Sequence, residues 1–273
     1  MFVYSSLLVF FLSFPHKHTH PTRIEYQLPP FTSFLFPLAT STPLSSVTPK
    51  QLKMTPHPPS SLPILYSFYR SSCAWRVRLG LHLKNIPFEI RPINLLTEEN
   101  KSAEYKAIQP FGAVPAFLEA NSHGPALVES VAILEYLDET RPEFPLLPKD
   151  PSGRAVVRAL VEAIAMDIQP VCQMRVLKYI SKDKEADWVS HFFKEGFAAL
   201  EKLLEKTAGK YSYGDSITMA DLLLVPQFYN GVRFAVDMSA YPIMSRINSE
   251  LETIPAFQAA HPTKQPDCPP ELR

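Results

Sequence analysis

Cysteine is scarce in this chain of 273 residues, and glycine is almost as rare. There are three cysteines, Cys73, Cys172 and Cys268, and 8 glycines. An odd number of widely spaced cysteines is typical neither of a disulfide framework nor of a zinc site. We therefore expect free thiols, a reducing compartment and no bound metal.

An excess of charge of either sign is also absent. Lys and Arg together number 27, and Asp and Glu together number 27, so the formal net charge is zero. Such a balance does not indicate nucleic acid or an anionic membrane surface as the main partner. Hydrophobic residues make up 46% of the chain, which is enough for one large or two small packed domains.

The first 60 residues lack any helical or strand period and are rich in Pro, Ser, Thr and Phe. A signal peptide has basic residues before its apolar stretch and a cleavage site after it, and the apolar opening of this chain lacks the first and has no clear example of the second. The apolar stretch is also too short to span a bilayer as a helix. Acidic residues other than Glu25 are missing before Glu89, which is a weak sign of a transit peptide. We expect residues 1–60 to be a disordered or non-native extension. We expect the protein to be cytoplasmic, unless the extension targets it to mitochondria.

Residues 61–145 alternate short apolar runs with helical periods. The order is βαβ followed by αββα, which predicts a small mixed sheet with helices on both faces. The fold class is therefore α/β in this first domain. The predicted strands are 63–68, 87–93, 116–119 and 126–128, and the predicted helices are 73–84, 102–108 and 130–140.

Residues 141–151 contain four prolines and predict a semi-rigid linker. The strand patterns stop after it, so residues 151–273 are expected to form an all-α domain. Thr218 and Asp221 have the spacing of a capping box at a helix start, and Pro226 should kink that helix. The long helical periods cover 152–181, 185–208 and 218–236, and shorter helical pieces follow near 243–260.

The strongest candidate site is the run between the first strand and the first helix, Ser71-Ser72-Cys73-Ala74-Trp75-Arg76. A helix N-terminus carries unpaired N–H groups and a partial positive charge, so it favours a thiolate to which a hydroxyl can donate. Ser72 has a second interpretation as a plain helix cap. Cys73 is either a reactive thiol or inert, and Arg76 replaces the second cysteine of a C-x-x-C pair, which argues against dithiol chemistry.

Three further positions have both a chemical and an ordinary interpretation. A cis bond before Pro115 would expose the Val114 backbone to an extended peptide, although the residues alone favour a trans proline that starts a strand. Ser130, after Glu129, either caps a helix or binds a ligand carboxylate. Arg233 in the helical domain, as a lone arginine, is expected on the solvated surface.

Taken together, these residues resemble the zeta-class glutathione transferases over roughly the last three quarters of the chain. The most specific motif is Ser71-Ser72-Cys73-Ala74-Trp75-Arg76-Val77-Arg78. Other matching runs are 92–95, 135–137, 146–148, 168–170, 214–215, 218–222, 225–227, 265–267 and 271–273.

The resemblance implies a homodimer of subunits with a thioredoxin-like domain and a helical domain, and glutathione as the cofactor. The implied activity is isomerisation of maleylacetoacetate to fumarylacetoacetate in tyrosine and phenylalanine catabolism, with glutathione transferase activity. Ser72, Cys73 and Arg233 are the implied catalytic residues, with Arg233 binding a carboxylate of the dicarboxylate substrate. The implied glutathione-binding residues are Ser71, Ser72, Cys73, Ala74, Trp75, Arg76, Val114, Glu129, Ser130, Gln169, Gln173, Met174 and Arg175.

Two departures from the family pattern bear on substrate preference. The family often has Gln at the position of Glu129, and it often has Asn-Leu-Ser at the position of Gln173-Met174-Arg175. The second change puts a large cation near the mouth of the site. Two other functions remain open, namely a glutathione-dependent thiol oxidoreductase that uses Cys73 and a transferase-fold binding protein without turnover.

Overall fold

The computed structural model describes residues 60–273, so the expectations for residues 1–59 lie outside the described residues. The first domain contains a four-stranded sheet in the order β2-β1-β3-β4. β1 pairs parallel with β2 and antiparallel with β3, and β3 pairs antiparallel with β4. The predicted mixed sheet is thus confirmed. Its strands are β1 Ile64–Ser67, β2 Glu89–Pro92, β3 Ala116–Leu118 and β4 Leu127–Val128.

Helices cover both faces of this sheet, as the alternation of side chains along the strands requires. Leu65 and Phe117 point to one face and pack with residues of α1 and α3, whereas Ile64 and Tyr66 point to the other face and pack with residues of α2. The sheet therefore separates two apolar clusters. The helices are α1 Ser72–Leu83, α2 Ala103–Ile108 and α3 Ser130–Thr140.

The predicted linker is packed against the first domain. Leu146 and Leu147 are buried, and the Leu146 N–H donates to Asp138 at 2.7 Å. The ammonium of Lys84 donates to Asp138 and to the backbone carbonyls of Arg141 and Phe144. The proline-rich segment is therefore fixed at several points.

The second domain is helical, as expected, but the single helix predicted over 152–181 is wrong. α4 ends at Glu162, a π-helical segment follows at Ala163–Ile168, and a 3-10 turn follows at Pro170–Cys172. Pro170 begins this 3-10 turn, and it disfavours a continuing α-helix because it has no N–H to donate and its ring crowds the carbonyl four residues earlier. The α-helices are α4 Pro151–Glu162, α5 Met174–Leu177, α6 Lys182–Thr207, α7 Met219–Arg233, α8 Pro242–Glu252 and α9 Pro255–Ala260.

Two other parts of the helical domain agree with the sequence, namely the helices after α7 and the start of α7 itself. The shorter pieces predicted near 243–260 are the two helices α8 and α9, and Pro255 begins α9. At the start of α7, Asp221 accepts the Thr218 N–H at 2.7 Å and the Ser212 N–H at 2.8 Å, which confirms the predicted cap. α7 is one helix through Pro226.

α1 is the element that the two domains share. Trp75 is buried edge-on against Tyr229 and His261 of the helical domain. Arg78 is fully buried and donates to Ser67 Oγ at 3.0 Å and to the carbonyls of Tyr69 at 3.0 Å and Ala260 at 3.1 Å. The N-terminus of α1 is therefore held from both domains.

Neither a membrane span nor a metal cluster is found within residues 60–273. No helix in this range is both long and apolar enough to cross a bilayer. Within the same range, no group of His, Cys, Asp and Glu side chains is arranged to hold a metal ion. Cys73, Cys172 and Cys268 are all free thiols.

Candidate active site

A pocket of about 480 Å³ lies where α1 and α3 begin and where the π-helical segment ends. Most of the residues singled out in the sequence meet there, although they come from both domains. A larger open groove at the other end of α1, beside His82, Phe88 and Gln265, contains none of them. The expected residues that line the pocket are Cys73, Arg76, Val114, Glu129, Ser130, Gln169, Gln173 and Arg175.

The two serines before Cys73 differ in what their hydroxyls do. Ser71 is the N-cap of α1, and its Oγ accepts the Ala74 N–H at 3.2 Å. The interpretation of Ser72 as the cap is therefore wrong. Ser72 is the first residue of the helix and is only 7% exposed. Its hydroxyl makes no hydrogen bond to any residue that the structure describes.

The next residues of the motif separate into pocket and core. The Cys73 side chain is partly exposed and lines the pocket. The Ala74 and Trp75 side chains belong instead to the apolar cores of the molecule and do not line the pocket. Arg76 returns to the pocket wall, as expected for a residue three positions after Cys73 on a helix.

The peptide bond between Val114 and Pro115 is cis. The preference for a trans bond, drawn from the residues alone, is therefore wrong. Val114 lines the pocket immediately before β3.

The loop before this cis bond is fixed by the first domain. The Tyr105 hydroxyl donates to the Ala113 carbonyl, and the Asn100 amide donates to the Gly112 carbonyl, each at 2.6 Å. Gly112 has a φ of +60°, and a Cβ there would lie 2.7 Å from the Asn100 carbonyl oxygen. Glycine is thus required at the turn that leads into the pocket.

The start of α3 forms another part of the pocket wall. Glu129 is its N-cap residue, with a φ of 67°, and is exposed, so the interpretation of Ser130 as the cap is wrong. Ser130 is the first helical residue, and its Oγ accepts from Arg76 Nη1 at 3.1 Å. A non-glycine residue at positive φ is a strained position of the kind that clusters at functional sites.

The helical domain closes the pocket through the residues between α4 and α6, which include the π-helical segment. Gln169, Gln173 and Arg175 line the pocket, and Gln173 Nε2 donates to Gln169 Oε1 at 3.3 Å. Met174, between two lining residues, does not line it. π-helical turns such as Ala163–Ile168 often occur at functional sites.

Several residues of the pocket wall carried no recognisable signal in the sequence. Phe111 is 71% exposed and Met166 is 66% exposed at the mouth, and Gln109 contributes a buried amide oxygen without a partner among the described residues. Phe111 and Gln109 lie on the loop before the cis bond, so only the folded loop brings them to the site.

Arg233 is the last residue of α7, is exposed as expected, and does not line this pocket. Its guanidinium lies 4.5 Å from the centre of the Phe234 ring and 3.4 Å from Asn230 Oδ1. Desolvation by its surroundings lowers the Arg233 pKa, and the nearby positive charge of Arg70 lowers it further. Arg70 directly precedes Ser71, the N-cap residue of α1. Arg70 was not among the predicted site residues, and its adjacency to the serine pair was the available signal.

Comparison with known proteins identifies the family of this chain. The family model described as Glutathione S-transferase, N-terminal domain, matches residues 65–145, and the C-terminal domain model matches residues 169–259. The chain therefore belongs to the glutathione S-transferase family.

Its relatives point to one class within that family. The chain is 52% identical to probable maleylacetoacetate isomerase 2 of Drosophila melanogaster, over 77% of this chain and 92% of that protein. It is 48% identical to maleylacetoacetate isomerase of Mus musculus, over 77% and 97%. A solved maleylacetoacetate isomerase from Anaeromyxobacter dehalogenans 2CP-1, with bound glutathione, is 42% identical over 77% of this chain and all of that one, with a TM-score of 0.71. Maleyl pyruvate isomerase, a bacterial transferase of the zeta class, is 37% identical over 76% and 100%, with a TM-score of 0.72.

Proposed function

We propose that this protein is a glutathione-dependent isomerase that converts maleylacetoacetate to fumarylacetoacetate, with glutathione transferase activity. The observation that carries the proposal is the pocket at the N-terminus of α1, where Cys73, Val114 and Ser130 meet. Relatives that are 48–52% identical over nearly their whole length are named for this isomerisation. The reaction belongs to tyrosine and phenylalanine catabolism.

The pocket suits glutathione as cofactor. It offers the backbone of Val114 beside a cis bond for an extended peptide, and the start of α3 for a carboxylate. It also contains Arg76, a buried cation with two nitrogens that lack partners among the described residues. When bound, glutathione supplies a thiolate that adds reversibly to the cis double bond, so that this bond can rotate and re-form as trans.

Stabilising a thiolate at neutral pH requires more than the helix end. Lowering a thiol pKa by about two units corresponds to about 2.7 kcal/mol. A helix N-terminus contributes roughly 0.3–1 kcal/mol and at most about 2, whereas a hydrogen bond to a charged group contributes about 1.5–3 kcal/mol. We assign that hydrogen bond to Ser72, whose hydroxyl has no other described partner, with Cys73 beside it.

The substrate carries two carboxylates, and arginine pairs well with them because its planar fork grips both oxygens. We assign one substrate carboxylate to Arg233. The nearby charge of Arg70, which lowers the Arg233 pKa, supports this assignment because a second cation strengthens the attraction of this region for an anion. Arg175 at the pocket wall is the alternative partner.

The main rival function is a thiol oxidoreductase that forms a mixed disulfide at Cys73. Its support is that the Cys73 side chain is partly exposed in the pocket. Cys172 cannot assist, because burial raises its pKa to about 12. One assay separates the possibilities: the purified protein is given maleylacetoacetate with and without glutathione, and separately a glutathione mixed disulfide. Glutathione-dependent formation of the trans product supports the proposal, and reduction of the disulfide alone supports the rival.

We also propose that the protein is a cytoplasmic homodimer, with mitochondria as the alternative location. The resemblance to the zeta class supports the dimer, and three free thiols are consistent with a reducing compartment. Sedimentation should give twice the 30.8 kDa mass of one chain. A single-chain mass at micromolar concentration would contradict the dimer.

A further inference from the structure

Arg76 is a buried cation without a carboxylate partner. It is 2% exposed, and its side chain lines the pocket. Its one hydrogen bond to a described residue runs from Nη1 to Ser130 Oγ at 3.1 Å. The Nε and Nη2 atoms have no partner within residues 60–273. Buried charges in proteins are normally paired, so the Ser130 hydroxyl is the one described group on which the Arg76 charge acts through a hydrogen bond.

A second buried arginine on the same helix shows that burial alone does not leave such groups unpaired. Arg78 is fully buried two residues later. Its Nε, Nη1 and Nη2 atoms all donate, to the Ala260 carbonyl, Ser67 Oγ and the Tyr69 carbonyl respectively. α1 thus carries one arginine that its own chain satisfies and one, beside the pocket, that it does not.

The contact with Arg76 also constrains the Ser130 hydroxyl. A hydroxyl has one proton to donate. Because the Ser130 oxygen already accepts from Arg76, its proton is left to donate elsewhere, and the adjacent positive charge makes that proton a better donor. Ser130 lines the pocket at the first residue of α3, where backbone N–H groups lack helical partners.

We propose that Arg76 is a positioning residue that orients and polarises the Ser130 hydroxyl toward a carboxylate, namely the α-carboxylate on the γ-glutamyl end of the bound thiol. This inference rests on the proposed use of glutathione. It goes beyond that use by making the pair of Arg76 and Ser130 the reason why γ-glutamyl thiols are selected over shorter thiols.

The test measures dissociation constants for three thiols. Glutathione has both ends, γ-glutamylcysteine lacks the glycine, and cysteinylglycine lacks the γ-glutamyl group. The variants are Arg76→Met, Arg76→Lys, Ser130→Ala and the double variant Arg76→Met with Ser130→Ala. Arg158→Met is the matched control, because Arg158 pairs with Glu135 and does not line the pocket.

We expect Arg76→Met to raise the dissociation constants of glutathione and γ-glutamylcysteine by about tenfold or more, because a charge-assisted hydrogen bond is lost. Cysteinylglycine should change by less than about twofold, and Arg158→Met should change none of the three. The double variant should bind glutathione about as weakly as the weaker-binding single variant, because both substitutions disrupt the same hydrogen-bonded pair of Arg76 and Ser130. Arg76→Lys should recover part of the loss.

Three results would overturn the inference. The first two are an equal rise in the dissociation constants of all three thiols and a rise for cysteinylglycine alone. The third is a double variant whose loss of affinity equals the product of the losses in the two single variants. Thermal melting of every variant shows whether it folds, and Arg76→Lys carries the test if Arg76→Met does not fold. The unaltered protein serves as the check on function. If it fails to isomerise maleylacetoacetate with glutathione, the proposed function is wrong, whereas an active protein with an unselective Arg76→Met variant contradicts the inference alone.

Discussion

At the scale of single residues, the hydroxyls of two adjacent serines are used differently. Ser71 Oγ accepts the Ala74 N–H and caps α1, whereas the Ser72 hydroxyl has no hydrogen bond to the described residues. Removing the first should therefore act on stability, since loss of a serine cap costs about 1 kcal/mol. Removing the second should act on the thiolate.

Ser72→Ala is expected to reduce isomerase turnover at saturating glutathione by about tenfold or more, because a hydrogen bond to a charged group is lost. Glutathione affinity should change much less. Steady-state kinetics and a binding titration measure the two quantities, with Ser71→Ala as the neighbouring comparison. If turnover were unchanged in Ser72→Ala but lost in Ser71→Ala, Ser71 and not Ser72 would be the donor to the thiolate.

Cys73→Ala is expected to retain substantial isomerase activity, because the attacking sulfur belongs to glutathione. The Cys73 side chain is only one part of the pocket wall. The measurement is turnover together with glutathione binding. Complete loss of turnover with binding intact would instead assign a direct chemical role to Cys73 and favour the oxidoreductase.

Arg233→Ala is expected to raise the Michaelis constant for maleylacetoacetate and to leave glutathione binding nearly unchanged. The reacting double bond must lie about 3–3.5 Å from the sulfur, and a fixed carboxylate helps to hold that alignment. Arg233→Lys should recover only part of the loss, because lysine lacks the planar fork.

The comparison for Arg233 uses a dicarboxylate and a neutral electrophile, with Arg70→Ala and Arg175→Ala measured in parallel. Arg70 should behave like Arg233, because the charges of the two residues interact. If Arg233→Ala shows no selective effect on the dicarboxylate while Arg175→Ala does, the carboxylate partner is Arg175.

At the scale of elements, α7 depends on one buried carboxylate at its start. Asp221 is fully buried and accepts the N–H groups of Thr218 and Ser212. Asp221→Ala would leave both donors buried without a partner. We expect it to lower the free energy of unfolding by about 1–3 kcal/mol.

Chemical denaturation of Asp221→Ala checks this expectation. Asp237→Ala is the matched control, because Asp237 caps a short 3-10 turn through Ser239 at an exposed site and should matter less. Equal stability of the two variants would mean that water replaces the lost acceptor at the start of α7.

At the scale of the whole described body, α1 belongs to both domains. Its side chains enter the sheet cluster and the helical cluster, and Arg78 joins the end of β1 to Ala260 of α9. The Tyr69 N–H also donates to Asp267, near the end of the chain, at 2.7 Å. Neither domain can lose α1 without exposing its own core, so we expect the two to unfold together.

The two tryptophans allow this to be measured. Trp75 lies between the domains, and Trp188 lies in the helical domain, where its indole donates to the Val171 carbonyl. In Trp188→Phe, the fluorescence of Trp75 and the helical circular dichroism should lose signal at one denaturant concentration. An earlier loss of Trp75 fluorescence would mean that the domains separate before they unfold.

Local pattern predicted much of this molecule. The type and order of the elements in the first domain follow from apolar periods, and the start of α7 follows from the spacing of Thr218 and Asp221. The motif at Ser71–Arg76 predicted where α1 begins. These features depend on contacts between residues close in the chain, so the sequence carries them directly.

Tertiary structure decided the rest. It selected the cis bond at Val114–Pro115, brought Gln109 and Phe111 to the pocket, and brought Arg70 within electrostatic range of Arg233. It also paired Arg76 with Ser130, which are 54 positions apart in the chain. These features depend on contacts between residues far apart in the chain, which local patterns of residues do not encode.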